Sequence, residues 1–154
     1  MEKEDSVELS STKKRIGSFV IDDIIVSIFL MIIFYDQIAA MLTSVDVNPE
    51  MTTATVDMMN SFFSENLMII FAIKVIYHTV LVWQNGMTIG KYIMKIRVIS
   101  LHTQNRPTFQ QAFMRASVRL ISDTFFYLGY IMAFFTPMRQ TLHDKLSSCV
   151  VIDA

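Results

Sequence analysis

Cysteine, proline and glycine are scarce in this sequence of 154 residues, which holds one, three and four of them. A single cysteine, Cys149, cannot close an internal disulfide, so no cystine framework holds this fold. With so little glycine and proline, few positions interrupt long helices. Charged residues are also few, 18% against ~25% in a typical soluble domain, so there is little to make a large solvated surface. Lysine and arginine are missing altogether from Thr43 to Asn66, a stretch that carries Asp46, Glu50, Asp57 and Glu65. The leader from Met1 to Thr12 lacks the positive start of a cleaved signal peptide: it holds Glu2, Glu4, Asp5 and Glu8. Asp22 and Asp23 also interrupt what would be its apolar core. The first apolar run therefore reads as a retained helix.

What the sequence does have is apolar bulk. Hydrophobic residues make up 53%, with 12 Phe and 12 Met, and mean hydropathy is +0.44. Three runs concentrate it. Ile16 to Tyr35 is about 20 residues, which as a helix reaches about 30 Å, the thickness of a bilayer's hydrocarbon. Leu67 to Trp83 is about 17 residues, the lower limit for a span, with Trp83 at an end where an indole favours the interface. Ala116 to Phe135 is rich in aromatics and stops at Pro137.

Flanking charge sets orientation. Lys13, Lys14 and Arg15 precede the first run, and Lys91, Lys95, Arg97, Arg106 and Arg115 follow the second. Cytoplasmic loops collect Lys and Arg, so the N-terminus and the basic loop belong inside and the acidic connection outside. The third run has basic residues at both ends, since Arg139 and Lys145 follow it. It either spans or is re-entrant, with Gly129 at its turn; re-entrant backbone is tolerated where protein covers it. Lys95 to Ile99 alternates polar and apolar like a strand, and Ser148 to Ile152 is again β-like. Two short strands with no other partners should pair, because unpaired edges are costly. Thr108 to Gln111 fits a capping box that opens a helix.

The expected fold is therefore an all-α integral membrane protein. It has two transmembrane helices, a third apolar helical segment, re-entrant or spanning, and a short cytoplasmic β-strand pairing. Residues 1–12 form a polar tail and 13–152 the membrane domain. The expected setting is the inner membrane of a bacterium, with the N-terminus cytoplasmic.

Ionisable residues sit where they are expensive, at roughly 2.5–3.5 kcal/mol each near mid-bilayer. Asp22 and Asp23 lie in the first run, Lys74 and His78 in the second, Arg119 and Asp123 in the third. The last two pairs are spaced i, i+4 and so share a helix face. Counted from the inner ends at about 1.5 Å per residue, they reach similar depths of about 7–13 Å. This predicts one buried polar cluster, in which Asp22 or Asp23 meets Lys74, His78 or Arg119. Such pairs either hold helices in register or move protons or cations. An imidazole's ordinary pKa of about 6.5 suits His78 to proton handling, with Asp22 or Asp23 as the protonatable carboxylate. Arg15 lies seven residues before Asp22, on the same helix face.

At these residues the sequence resembles the RDD family of membrane proteins, named for one arginine and two aspartates. Arg15-Ile-Gly-Ser-Phe-Val-Ile-Asp22 is similar to its opening motif. Gly86-Met-Thr-Ile-Gly90-Lys91 with Ile96-Arg97-Val98-Ile99, then Arg106-Pro107, Phe109 and Arg115, resemble its middle. Pro137 to Leu146 with Val150-Val151 resembles its C-terminal motif and implies Asp144 as the second aspartate. Two departures stand out: Ser147-Ser148-Cys149 replaces the frequent Ala-Gly-Thr, and Asp23 adds a carboxylate beside Asp22. The resemblance implies a small multi-pass protein, for which transport is often suggested.

Other chemistry is set aside. Gly86 to Lys91 has three residues between its glycines where a phosphate loop has four, and Tyr92 where that loop has Ser or Thr. His78, His102, His143 and Cys149 have no metal-ligand spacing, and no nucleophile–base set appears, so neither an enzyme nor a cofactor is expected. The basic loop suits anionic lipid headgroups rather than nucleic acid. Two spans cannot enclose a pathway, so transport would need a homo-oligomer or a larger membrane partner. The rival reading is a non-transporting accessory or assembly subunit.

Overall fold

The computed structural model describes residues 8–44, 53–124 and 134–154. Gly129 and the aromatic tract around it lie outside these residues, so whether the third segment spans is left to topology.

Helix α1 (Thr12–Ile33) begins at Ser11, whose hydroxyl accepts from the Lys14 amide at 3.3 Å. It breaks at Phe34, and α2 (Tyr35–Ser44) continues beyond the break. Helix α3 (Thr53–Asn85) has 33 residues. At about 1.5 Å per residue that is about 50 Å, well beyond the hydrophobic core of a bilayer. Part of the acidic connection expected as a loop is therefore helical. No Gly or Pro interrupts Thr53 to Asn66, and Phe62 packs edge-on against Phe34 with ring centroids 5.5 Å apart. Both α1 and α3 are long and apolar enough to cross a membrane.

Gly86 ends α3 with φ +72°, and its carbonyl accepts from the Val98 amide at 2.7 Å. A Cβ there would lie 3.1 Å from the Val98 carbonyl oxygen, so glycine suits both the turn and the approach. The short α4 (Ile89–Ile93) follows, then β1 (Ile96–Ser100). Helix α5 (Phe109–Thr124) starts seven residues before the apolar run that announced it. Its reciprocal cap is present: the Gln111 amide donates to Thr108 Oγ1 at 3.3 Å, and the Thr108 amide to Gln111 Oε1 at 3.1 Å. Helix α6 (Leu142–Leu146) and β2 (Cys149–Asp153) complete the chain.

The two strands pair antiparallel, from Ile96 opposite Asp153 to Ser100 opposite Cys149. Leu9 bridges Ile152 on the outer edge of β2. One face of the sheet packs with Val82 and Ala112 around Val98 and Val151; the other packs Leu9 against Ile99, Val150 and Ile152. This small core ties the start of α1, the end of α3 and the start of α5 to one end of the molecule.

The helices are patterned inside out. In α1 the buried side chains are Ser18, Asp22 and Val26, while Ile16, Val20, Ile24 and Ile28 are exposed. In α5 Arg115, Arg119 and Ser122 are buried, while Phe109, Phe113, Met114 and Ile121 face outward. A water-soluble helix turns its apolar stripe toward the core; here apolar side chains face out and polar ones face in.

Candidate functional site: two buried carboxylates and a charged cleft

Asp22 is fully buried. Its position on α1 points it at the turn between α3 and α4, and that turn is built to receive it. Thr88 Oγ1 donates to Oδ2 at 2.5 Å, the Gly90 amide to Oδ1 at 2.8 Å and the Tyr77 hydroxyl to Oδ1 at 3.0 Å. The Lys91 ammonium lies 3.6 Å from Oδ2. Gly90 is required by proximity rather than torsion, since a Cβ there would fall 2.8 Å from the Asp22 carboxylate. Burial pushes the Lys91 ammonium down to about 8 against the pull of Asp22, and Arg119 and Arg115 add to the fall.

Asp144 forms the second centre, on α6. Thr141 and Asp144 make a capping box: the Thr141 amide donates to Asp144 Oδ2 at 3.2 Å and the Asp144 amide to Thr141 Oγ1 at 3.4 Å. Arg115 pairs with Oδ1, and Arg15 Nη1 lies 3.3 Å from Oδ2. Arg15 also donates to Ser10 Oγ at 2.7 Å, to the Val151 carbonyl at 2.8 Å and to the Arg139 carbonyl. One guanidinium thus joins the start of α1, strand β2 and the approach to α6. Burial alone would raise the Asp144 carboxyl, but Arg115, His143 and Arg15 hold it below the usual carboxylate range. Burial pushes His143 well below the ordinary imidazole value despite Asp144, with Arg115, Arg119 and Lys91 contributing.

The third feature is a cleft between α1, α3 and α5, with about 280 Å³ of empty volume, lined by Asp23, Lys74, His78, Arg119 and Asp123 among others. Lys74 Nζ lies 3.6 Å from Asp23 Oδ1, and Arg119 Nε 3.9 Å from Asp123 Oδ2. Arg119 Nη1 is 3.4 Å from His78 Nδ1, and its guanidinium sits 5.0 Å from the centre of the Phe19 ring.

The eight residues singled out from sequence therefore fall into three groups. Asp23, Lys74, His78, Arg119 and Asp123 share the cleft. Arg15 and Asp144 meet each other. Asp22 turns away from Lys74, toward partners not among the eight. Those partners, Tyr77, Thr88, Gly90 and Lys91, together with Arg115 at Asp144, are what sequence reasoning missed. Lys91 and Arg115 read as flanking positive charges because their carboxylates are distant in sequence. The available signal was the small Thr-Ile-Gly-Lys turn directly after an apolar run that contains a tyrosine.

This fold and these centres define a helical membrane-type protein in which buried aspartates tie helix ends to a small sheet. The model of the RDD family matches residues 9–148, and the chain belongs to that family. Arg15, Asp22 and Asp144, the arginine and aspartates that the resemblance implied, lie at the two buried centres. An uncharacterized protein of Rickettsia prowazekii (strain Madrid E) is 27% identical over 90 residues, covering 58% of this chain and 47% of that protein. The chain thus matches about half the length of that relative. No solved structure matches it.

Proposed function

We propose that the protein lies in a bacterial inner membrane and contributes to proton- or cation-linked transport, through the cleft between α1, α3 and α5. On this reading α1 and α3 span the bilayer, and α5 enters from the cytoplasmic side. The sheet supports a returning third segment, because β1 precedes that segment, β2 follows it, and they are hydrogen-bonded neighbours. The inside-out patterning of α1 and α5 supports lipid as the surrounding medium. The basic residues near the sheet end and the acidic ones of α2 and the start of α3 support a cytoplasmic N-terminus.

The observation that carries the transport reading is the cleft itself. Five ionisable side chains from three helices line one open groove, and ionisable groups at membrane depth mark pathways more often than not. Asp23 and His78 would carry protons or bind cations there, with Lys74 and Arg119 tuning them by charge. Asp22 and Asp144 hold the scaffold. The groove is open, so a second copy or a larger membrane partner would close it.

The test is proton and sodium flux in vesicles reconstituted with wild type, Asp23→Asn and His78→Gln. Wild-type flux above that of empty vesicles, lost in Asp23→Asn, is expected. Flux equal to that of empty vesicles under every gradient would instead favour a non-transporting accessory subunit. One observation favours that second reading: α2 and the outer part of α3 project past a bilayer's thickness yet expose Tyr35, Leu42, Met58, Met59 and Phe63, an apolar surface that suits a protein partner.

A further inference from the structure

A second cavity adjoins the cleft on the side toward the sheet and differs from it in charge. It has about 210 Å³ of empty volume, part of it open to the surroundings, with room at its centre for one small particle. Lys91, Arg115, Arg119 and His78 line it, with Val82, Ala112 and Ala116 as its apolar wall; no carboxylate is among the lining residues. The three cationic side chains are nearly buried, at 8%, 7% and 8% exposed.

The carboxylates around it do not balance these charges. Asp22 pairs with Lys91, Asp123 with Arg119, and Asp144 with both Arg115 and Arg15. Four cations therefore share three carboxylates, while Lys74 and Asp23 offset each other, as do Lys14 and Asp153. Among the described residues one positive charge is in excess, on nearly buried side chains that line the cavity. Excess buried charge is destabilising, and a bound counter-ion relieves it.

We propose that this cavity binds a small monovalent anion of about chloride size, held by Lys91, Arg115 and Arg119. The occupant's charge follows from the single excess cation, and its size from the space. The mutual repulsion of the lining cations is also felt by groups outside the membrane helices: Arg119 and Arg115 both help to lower Lys91. The site is independent of the transport reading, because it requires only that the inner end be folded as described.

The full-length protein in an uncharged detergent tests this, with thermal unfolding followed by Trp83 fluorescence in sodium chloride and in sodium gluconate at equal ionic strength. Wild type should show a saturable chloride stabilisation, its folding equilibrium rising about a hundredfold at a hundredfold excess over Kd. Ala116→Asp places a carboxylate at the cavity wall, so it should be as stable in gluconate as wild type in chloride, and should not respond to chloride. Arg119→Gln should lose the response while remaining folded, which keeps the test decisive if Ala116→Asp does not fold. Equal wild-type stability in both salts, or an undiminished response in folded Arg119→Gln, would overturn the proposal. Flux plays no part in this readout, so the anion site and the transport reading fail separately.

Discussion

Asp22 and Asp23 are neighbours in the chain with opposite settings. Asp22 has no exposed surface and meets three hydrogen-bond donors and an ammonium. Asp23 leaves 45% of its side chain exposed in an open groove and has one lysine at 3.6 Å. A carboxylate whose acceptor sites are filled is held in one geometry; one with open sites is free to take another partner. The sheet end of the molecule thus divides into closed centres that hold the fold and a groove left open.

Breaking a closed centre gives the largest expected effect. Asp144→Asn removes the only carboxylate that faces both Arg15 and Arg115 among the ion pairs of the described residues. Taking one partner from a buried pair costs about 3–5 kcal/mol, comparable to the whole stability of many domains. Folded, monodisperse protein recovered from detergent extracts should fall close to zero. Recovery equal to wild type would mean that the two arginines have other acceptors and that the centre is not the staple described.

Acid should loosen the same centre by degrees. The imidazole of His143 is pushed well below its ordinary value by burial and by Arg115, Arg119 and Lys91. In the unfolded chain it takes up a proton near pH 6.5. Below that pH the unfolded state binds more protons than the folded one, so stability falls as pH falls, by about 1.4 kcal/mol per unit for one such group. Asp144, whose folded value is depressed, adds a second loss below about pH 4. Its contribution is complete above that range and disappears as the folded carboxyl protonates. Thermal unfolding between pH 7.5 and 4 should show the first slope, and His143→Gln should flatten it. An unchanged slope in that variant would place the titration elsewhere.

The sequence made some of this legible and left the rest out of reach. Long apolar runs announced α1 and α3, because run length is a one-dimensional property. The strand pairing could be inferred from the cost of two lone edges, and Thr108 and Gln111 made their cap visible at a three-residue spacing. Arg15 and Asp22 were visible on one face of α1, but their partners were not. Arg15 meets Asp144 across 129 residues, and Asp22 meets Gly90 across 68. Only the fold-back of α4 against α1 brings Lys91 to a carboxylate, and that fold-back depends on a glycine whose missing side chain matters only once the Ser18 carbonyl and Asp22 of α1 lie beside it. The helical extension from Thr53 to Asn66 was hidden for another reason: its acidic residues read as an outer connection, while its lack of breakers permits a helix. Ser148 shows a local departure too. It adopts φ +51°, a conformation that favours glycine, and its neighbour Ser147 donates to the His143 carbonyl at 2.6 Å.

The smallest expected effect on stability belongs to Asp23→Asn, and it sharpens the comparison most. The substitution keeps shape and removes one charge from a pair that is 45% and 28% exposed. If water fills the groove, such a pair contributes about 0–1 kcal/mol, and the Tm in detergent should move by a few degrees at most. If lipid fills it, Lys74 is left unpaired at membrane depth, and the loss should approach the roughly 2.5–3.5 kcal/mol of an isolated charge there. Measuring the variant in detergent and again in bilayer nanodiscs distinguishes the two. Near-equal, small shifts in both media are expected of a hydrated groove that admits protons or cations. A large loss confined to nanodiscs would show that Asp23 and Lys74 pair against lipid, which would make the groove another closed structural contact like those of Asp22 and Asp144.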